Sequence, residues 1–232
     1  MSPLERSIAS ALASKARLDL QPTVPGVFSI FDPAECGPDY VVSADGRSTV
    51  NTQTGTSSTQ SSMATVARGS AGGIWQCEFN IPDYIGGVNI SVGIGKNADF
   101  TVNQLGVGTT VVNASDGGFA VWDLNGSIYH NGAGSPGGVV GSWTTTTVIG
   151  LIFDATIPSN YLLSVYQDNG TIYKAWSTLG TLGAGAGSSD FTGDYYPGTG
   201  RGFVGSFTVT AFLNSGQEAF KRFVAGAAPW GR

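Results

Sequence analysis

From Val121 to Trp176 apolar residues recur at alternate positions in short runs, and turn-forming residues separate the runs. A side-chain period of two belongs to a β-strand, whose successive Cβ atoms point to opposite faces. The run Thr147-Val148-Ile149-Gly150-Leu151-Ile152-Phe153 is nearly continuous in apolar character, as a strand buried on both faces would be. Asp154 closes it and Pro158-Ser159-Asn160 makes a turn. Tyr161 to Gln167 alternates again, Asp168-Asn169-Gly170 makes a second turn, and Thr171 to Trp176 is a third strand. Asn-Gly pairs between alternating runs are strong hairpin signals, because both turn positions tolerate positive φ. This stretch therefore predicts consecutive antiparallel hairpins.

The same pattern continues on either side. In Ile74 to Ile81, Trp75, Cys77, Phe79 and Ile81 share one face, and Gln76, Glu78 and Asn80 the other. Val88 to Gly95 alternates, Asp99 to Val102 and Thr109 to Asn113 do so more weakly, and Asn125-Gly126 joins Gly117–Leu124 to Ser127–His130. Arg201 to Leu213 is expected to be one long strand, and Gln217 to Ala225 a short helix with Phe220 and Phe223 inward. The tail from Ala227 is expected to be exposed or docked elsewhere. Strands at roughly ten-residue spacing, parted by Gly-rich turns, predict an all-β, two-sheet antiparallel β-sandwich. No helical crossovers alternate with them, which excludes a parallel α/β sheet.

Two units are expected: residues 1–62, an N-terminal helix, extended arm and polar linker, and residues 63–232, the sandwich with its C-terminal helix and tail. Ser2-Pro3-Leu4-Glu5 carries an N-cap, a proline for the first helical position and a capping-box glutamate. Leu4, Ile8 and Leu12 then form one apolar stripe, which either docks on its own domain or anchors the chain to another subunit. Pro22, Pro25, Pro33 and Pro38 confine Val27–Phe31, with Phe28 and Phe31, to an edge strand or extended arm. Tyr40-Val41-Val42 is a second short strand. Residues 43–62 are small and polar, and are either a flexible loop or an exposed edge hairpin.

Composition removes several function classes. The net charge of −5 argues against nucleic-acid binding, which needs a surplus of Lys and Arg. No apolar run approaches the roughly 20 residues that span a bilayer. Glu5, Arg6, Lys15 and Arg17 interrupt any signal-peptide core, so synthesis in the cytoplasm without a cleaved signal is expected. Cys36 and Cys77 stand far apart with no CxxC, which argues against a zinc site and leaves two alternatives, a pair of buried thiols, the commoner case, or a disulfide.

The order of landmarks from Trp75 to Pro197 resembles the SPRY (B30.2-like) domain, a concanavalin-A-like sandwich. Ile74–Phe79 resembles that family's opening strand, Val92-Gly93-Ile94-Gly95 its "VGI" strand, and Leu105-Gly106 the Leu-Gly that follows. Val121-Trp122-Asp123-Leu124 with Ile128-Tyr129-His130-Asn131-Gly132 resembles its "W-x-L…Y-x-N-G" segment, and Val148–Asp154 its "VIGV-x-x-D" strand. Leu162–Gly170 and Tyr195-Tyr196-Pro197 resemble its "NG" turn strand and closing "Y-P". The resemblance covers about residues 66–213, departs from the family at Asp168, and does not reach the first 60 residues. With 35 glycines, only 12% charged residues and an added arm, the chain also resembles virion proteins of tailed bacteriophages.

That resemblance implies a non-enzymatic virion structural protein in a tail fibre, baseplate or capsid decoration. It would be a homo-oligomer in the particle, joined to other virion proteins through its arm (Leu4, Ile8, Leu12, Phe28, Phe31) and binding a host-surface glycan or protein. A purely architectural subunit is the alternative.

The residues themselves argue against catalysis. A glycosidase needs two converging carboxylates, but Glu78 is followed by Asn80 at i+2 and at i+5 only by Asp83, past Pro82. Asp154 and Asp168 are expected to be turn formers. His130 is the single histidine and no GxSxG is present. Asp190, Thr192 and Asp194 lack a regular calcium-loop spacing, so neither metal nor cofactor is expected. Ligand-binding candidates are loop-end side chains, Tyr129, His130, Asn131, Trp143, Tyr195 and Tyr196, with Trp230 as a further surface aromatic, because aromatic faces stack on sugars and anchor interfaces. Trp75 and Trp122 are expected in the core.

Overall fold

The structure is a computed structural model that describes residues 28–52, 60–84, 90–95, 119–122, 128–130, 133–134, 143–157, 161–168, 173–175, 193–201, 208–222 and 224–231. It is all-β, with no helix among the described residues. In chain order the strands are Phe31–Cys36 (β1), Tyr40–Val42 (β2), Ser48–Asn51 (β3), Gln60–Ala64 (β4), Ile74–Asn80 (β5), Ile90–Gly95 (β6), Phe119–Trp122 (β7) and Ile128–His130 (β8). Then follow Ala133–Gly134 (β9), Val148–Asp154 (β10), Leu162–Asp168 (β11), Tyr173–Ala175 (β12), Tyr196–Arg201 (β13), Val209–Asn214 (β14) and Ala228–Pro229 (β15).

They form two sheets. One has the order β1-β4-β13-β6-β7-β8-β9, the other β12-β11-β10-β5-β14-β3-β2. All neighbours in both orders are antiparallel; β15 alone runs parallel, beside the first half of β5, with Ala228 opposite Trp75. The two sheets bury one apolar core between them. Phe31, Val92, Ile94 and Tyr195 come from the first side, and Cys77, Phe79, Leu151, Phe153, Leu163 and Val165 from the second. The Phe31 and Phe79 rings meet across the interface at 6.4 Å, and Phe153 and Tyr195 at 5.5 Å. This is the sandwich that the period-two pattern predicts.

β10 sits in the middle of its sheet, between β5 and β11, with Ile149, Leu151 and Phe153 turned into the core. The hairpins expected around it form: β10 pairs with β11, β11 with β12, and β7 with β8. Cys36 and Cys77 are both free thiols. The weak strands at 99–102 and 109–113 and the helix at 2–18 lie outside the described residues.

Four expectations are corrected. Arg201 to Leu213 is not one strand: β13 and β14 belong to opposite sheets. The described residues of Gln217 to Ala225 are not helical, because N–H groups there and at Gly216 bond side chains instead of carbonyls four residues back. Gly216 and Glu218 donate to the Asn214 side-chain oxygen at 3.1 and 3.2 Å, and Arg222 and Val224 donate to Glu78 and Gln76 at 3.2 and 3.1 Å.

The third correction concerns the arm. The strand expected at Val27–Phe31 begins only at Phe31, and β1, β2 and β3 are hydrogen-bonded into the two sheets. Phe31 is fully buried in the core of its own sandwich, so it is not an external anchor. The prolines act as expected in one respect: β1, with Pro33 and an irregular register, is an edge strand.

The fourth is Trp230, expected as a surface aromatic. It is fully buried, stacks on Phe153 with ring centres 5.5 Å apart, and donates its indole N–H to Val66 O at 2.9 Å, so of the two readings of the tail the docked one holds.

Candidate functional site

The outer face of the sheet containing β5, β10 and β11 carries the most unusual chemistry. Register places Tyr166 on β11, Gly150 on β10 and Glu78 on β5 in one row. A Cβ at Gly150 would overlap the Tyr166 ring, so only glycine lets that ring lie across β10. The Tyr166 hydroxyl thereby reaches the next strand but one and donates to Glu78 Oε1.

Residues 215–222 and Val224 lie over this row as a strap. Its peptide groups are held by side chains of the sheet. Gln76 Nε2 donates to Tyr166 Oη at 2.9 Å and to the Arg222 carbonyl, whose oxygen lies 3.1 Å from the Tyr166 hydroxyl. The guanidinium of Arg222 is half exposed, and its Nε donates to Asp168 Oδ2 at 2.6 Å. Gln76 and Glu78 are therefore buried although they are polar and on the outward side of β5. Burial holds the Glu78 carboxyl above the usual carboxylate range, only partly opposed by the Tyr166 hydroxyl and strap N–H groups. Burial, and then the charge of Glu78, pushes the Tyr166 phenol far up, so it stays a proton donor.

Beside the strap lies an open cleft of about 440 Å³, whose lining includes Glu78, Asn80, Phe212, Asn214 and Lys221. Arg47 and Glu218, also in its lining, form an ion pair. Phe212 projects from β14 and is 42% exposed, one of three large exposed apolar side chains among the described residues. Asn80 and Asn214 are committed to structure: Asn80 donates to Thr147 O at 2.9 Å, and Asn214 caps the strap. The cleft thus offers the exposed Phe212 face, the buried Glu78 carboxyl, the exposed Asp45 carboxylate, one exposed ammonium and one ion pair. That set suits recognition of a charged group with an apolar stem.

The ligand-binding residues expected from the sequence are not gathered here. Trp143 is 4% exposed and packs on Tyr84 at 6.2 Å, and Tyr195 is fully buried against Phe153 and Tyr161. Neither can stack on a ligand; both are core residues. Tyr196 opens β13 and is half-buried. Tyr129 and His130 lie on β8, three strands away in the same sheet. Asn131, Leu4, Ile8 and Leu12 lie outside the described residues. Phe28 is half-buried. Trp75 packs on the core, and its outer face carries the Arg68 guanidinium 4.4 Å from the ring centre. The described residues hold no cluster of His, Cys, Asp and Glu with metal-binding geometry.

Four aspartates have structural partners. Asp154 accepts from Thr156 N at 2.9 Å, the self-capped turn expected of it. Asp168 is buried at the end of β11 and pairs with Arg222; the turn expected after it lies outside the described residues. Asp83 accepts from Thr210 N at 2.8 Å, and Asp194 from Ser70 N at 2.9 Å. Sequence reasoning missed Tyr166, Glu78 and Phe212 as a group. The signal available was Gly150, since a glycine inside an apolar strand marks a close approach of other atoms.

No protein-family model matches the chain, and no curated protein sequence matches it. Solved structures do. The SPRY domain of human HERC1 superposes with a TM-score of 0.54 at 19% identity, over 79% of this chain and 96% of that one. The PSpry domain of TRIM65 gives 0.53 at 15% identity, over 81% and 92%. Stonustoxin gives 0.50 at 16% identity, over 81% of this chain and 27% of that one. At these identities the likeness is one of fold, and the fold is that of SPRY domains.

Proposed function

We propose that this chain is a recognition module, a SPRY-type sandwich that binds another polypeptide through the cleft beside the strap and performs no chemistry on it. The observation that carries this reading is the cleft itself, with Phe212 exposed over a built polar floor on a fold shared with SPRY domains. The structural engagement of Asp83, Asp154, Asp168 and Asp194 favours recognition over hydrolysis. The burial of Trp143 and Tyr195 favours a protein partner over a glycan, since two of the expected sugar-stacking faces are unavailable.

In its finer form the proposal is a bacteriophage virion structural protein, in a tail fibre, baseplate or capsid decoration. Residues 1–27 would join it to neighbouring subunits and repeated copies would raise avidity. The glycine-rich, charge-poor composition supports this placement. Mass spectrometry and electron microscopy of purified particles test it: the chain is expected at fixed stoichiometry on the particle surface. Its absence from particles would remove the virion role and leave the recognition role standing. For the latter, Phe212→Ala is expected to weaken partner binding without lowering the melting temperature. Unchanged binding would refute it.

A further inference from the structure

Charge around the cleft is unevenly satisfied. Arg47 is paired with Glu218, and the Arg222 guanidinium is turned to Asp168. Lys221 is exposed and makes no ion pair among the described residues. Among the described residues, Glu78, 5% exposed and part of the cleft lining, meets only uncharged donors: the Tyr166 hydroxyl, the N–H of Arg222 and, close by, the Lys221 N–H and the Asn214 amide. A carboxylate removed from water without a counter-charge is unfavourable, and a cation brought to it gains more than it would at an exposed site. Asn214 stands directly opposite Glu78 on β14, and Phe212 opposite Asn80, so the exposed ring is one row along the same face from the carboxyl.

We infer that the cleft receives a basic side chain of the partner polypeptide, its cationic head at the Glu78 carboxylate and its stem against the Phe212 ring. This rests on the reading of the chain as a recognition module. Charge complementarity favours it: the chain is acidic overall, with a net charge of −5, and carries an unneutralised acid at the floor of the cleft. A guanidinium suits the site well, because it is weakly hydrated, flat enough to lie on an aromatic face, and donates in a fork. Lys221 at the rim is the built-in competitor. Its ammonium is compact and strongly hydrated, and it remains in solvent in this structure.

The test uses the isotope-labelled full chain and arginine amide as the probe, with citrulline amide as the isosteric neutral control. Arginine amide is expected to give saturable amide shifts in β5, β14 and residues 214–222, and citrulline amide to bind about tenfold or more weakly, the loss of one charge-assisted contact. Glu78→Gln keeps an acceptor for Tyr166 and Arg222, so its spectrum should stay native while arginine amide affinity falls by about tenfold. Lys221→Met should raise that affinity. Equal binding of citrulline amide, shifts confined to other regions, or undiminished binding by a natively folded Glu78→Gln chain would overturn the assignment. A Glu78→Gln chain that still bound its protein partner normally, while Phe212→Ala did not, would overturn it too and leave the recognition module intact.

Discussion

The Tyr166 hydroxyl donates to the Glu78 carboxylate across β10, and the only residue between them is Gly150. Two polar side chains two strands apart are joined because the intervening strand contributes no side chain at that row. The pair then fastens the strap that closes the outer face.

Gly150→Ala is the most direct perturbation of this arrangement. A methyl group there overlaps the Tyr166 ring, so the ring must move and Glu78 loses the Tyr166 hydroxyl as one of its donors. A loss of about 2–4 kcal/mol is expected, combining overpacking with an unmade buried hydrogen bond. Urea denaturation of Gly150→Ala, Tyr166→Ala and the double variant checks it. The double variant should cost less than the sum, because removing the ring makes room for the methyl. Strict additivity would contradict the close approach.

Glu78 predicts a pH dependence. Its folded-state pKa is raised, so the folded chain holds this proton more tightly than the unfolded chain does. The associated stability is fully present below the unfolded carboxyl value, near about 4.3, and is lost as pH rises through the raised folded value. Relative to Glu78→Gln, the native chain should therefore lose stability as pH rises from about 4 through that raised value. Denaturant midpoints of the two chains at both ends of that window measure it, and a constant gap between them would count against a desolvated Glu78.

Arg222→Ala removes the partner of a buried carboxylate while leaving the strap backbone its bonds to Glu78 and Gln76. The guanidinium is half exposed, so solvent screens the pair and a global cost of about 1 kcal/mol is expected. Hydrogen exchange should accelerate at the Arg222 and Val224 amides more than in β10. Uniform acceleration would mean that the strap is not a separate unit.

Truncation separates the two ends of the expected arm. Removing residues 1–27 should leave a folded sandwich with nearly unchanged melting. Removing 1–40 takes away β1 and the Phe31 ring that meets Phe79, and should cost several kcal/mol, as deleting a buried phenylalanine does. Thermal melts by circular dichroism distinguish them, and equal melting of both truncations would contradict the place of β1 in the sheet.

Trp143→Ala and Tyr195→Ala should each lower stability by about 3–5 kcal/mol through core cavities. Calorimetry reads this directly. A variant at either position with native stability would restore it as a surface aromatic.

Much of the architecture was legible because strand periodicity is local. The inward set Trp75, Cys77, Phe79 of β5, the central place of β10 and the hairpins on either side of it all follow from alternation and turn residues. The cleft was not legible. Nothing near Phe212 in sequence announces that Glu78 lies beside it, because those positions are brought together only by β14 pairing with β5.

The sequence by itself determined which side of each strand is apolar, and hence that two sheets must close over one core. The tertiary structure alone decided what covers the other side. Period two assigns Gln76, Glu78 and Asn80 to one face, but whether that face meets water or a strap depends on where residues 215–222 and Val224 return. The same holds for Trp143, Tyr195 and Trp230, which lie at the ends of alternating runs and are buried by segments distant in the chain. It holds too for β1–β3, whose polar and proline-rich residues are strands only because β4 and β14 supply hydrogen-bonding edges for them. Burial is a property of assembled surfaces, whereas a strand's alternation is written in the order of its own residues.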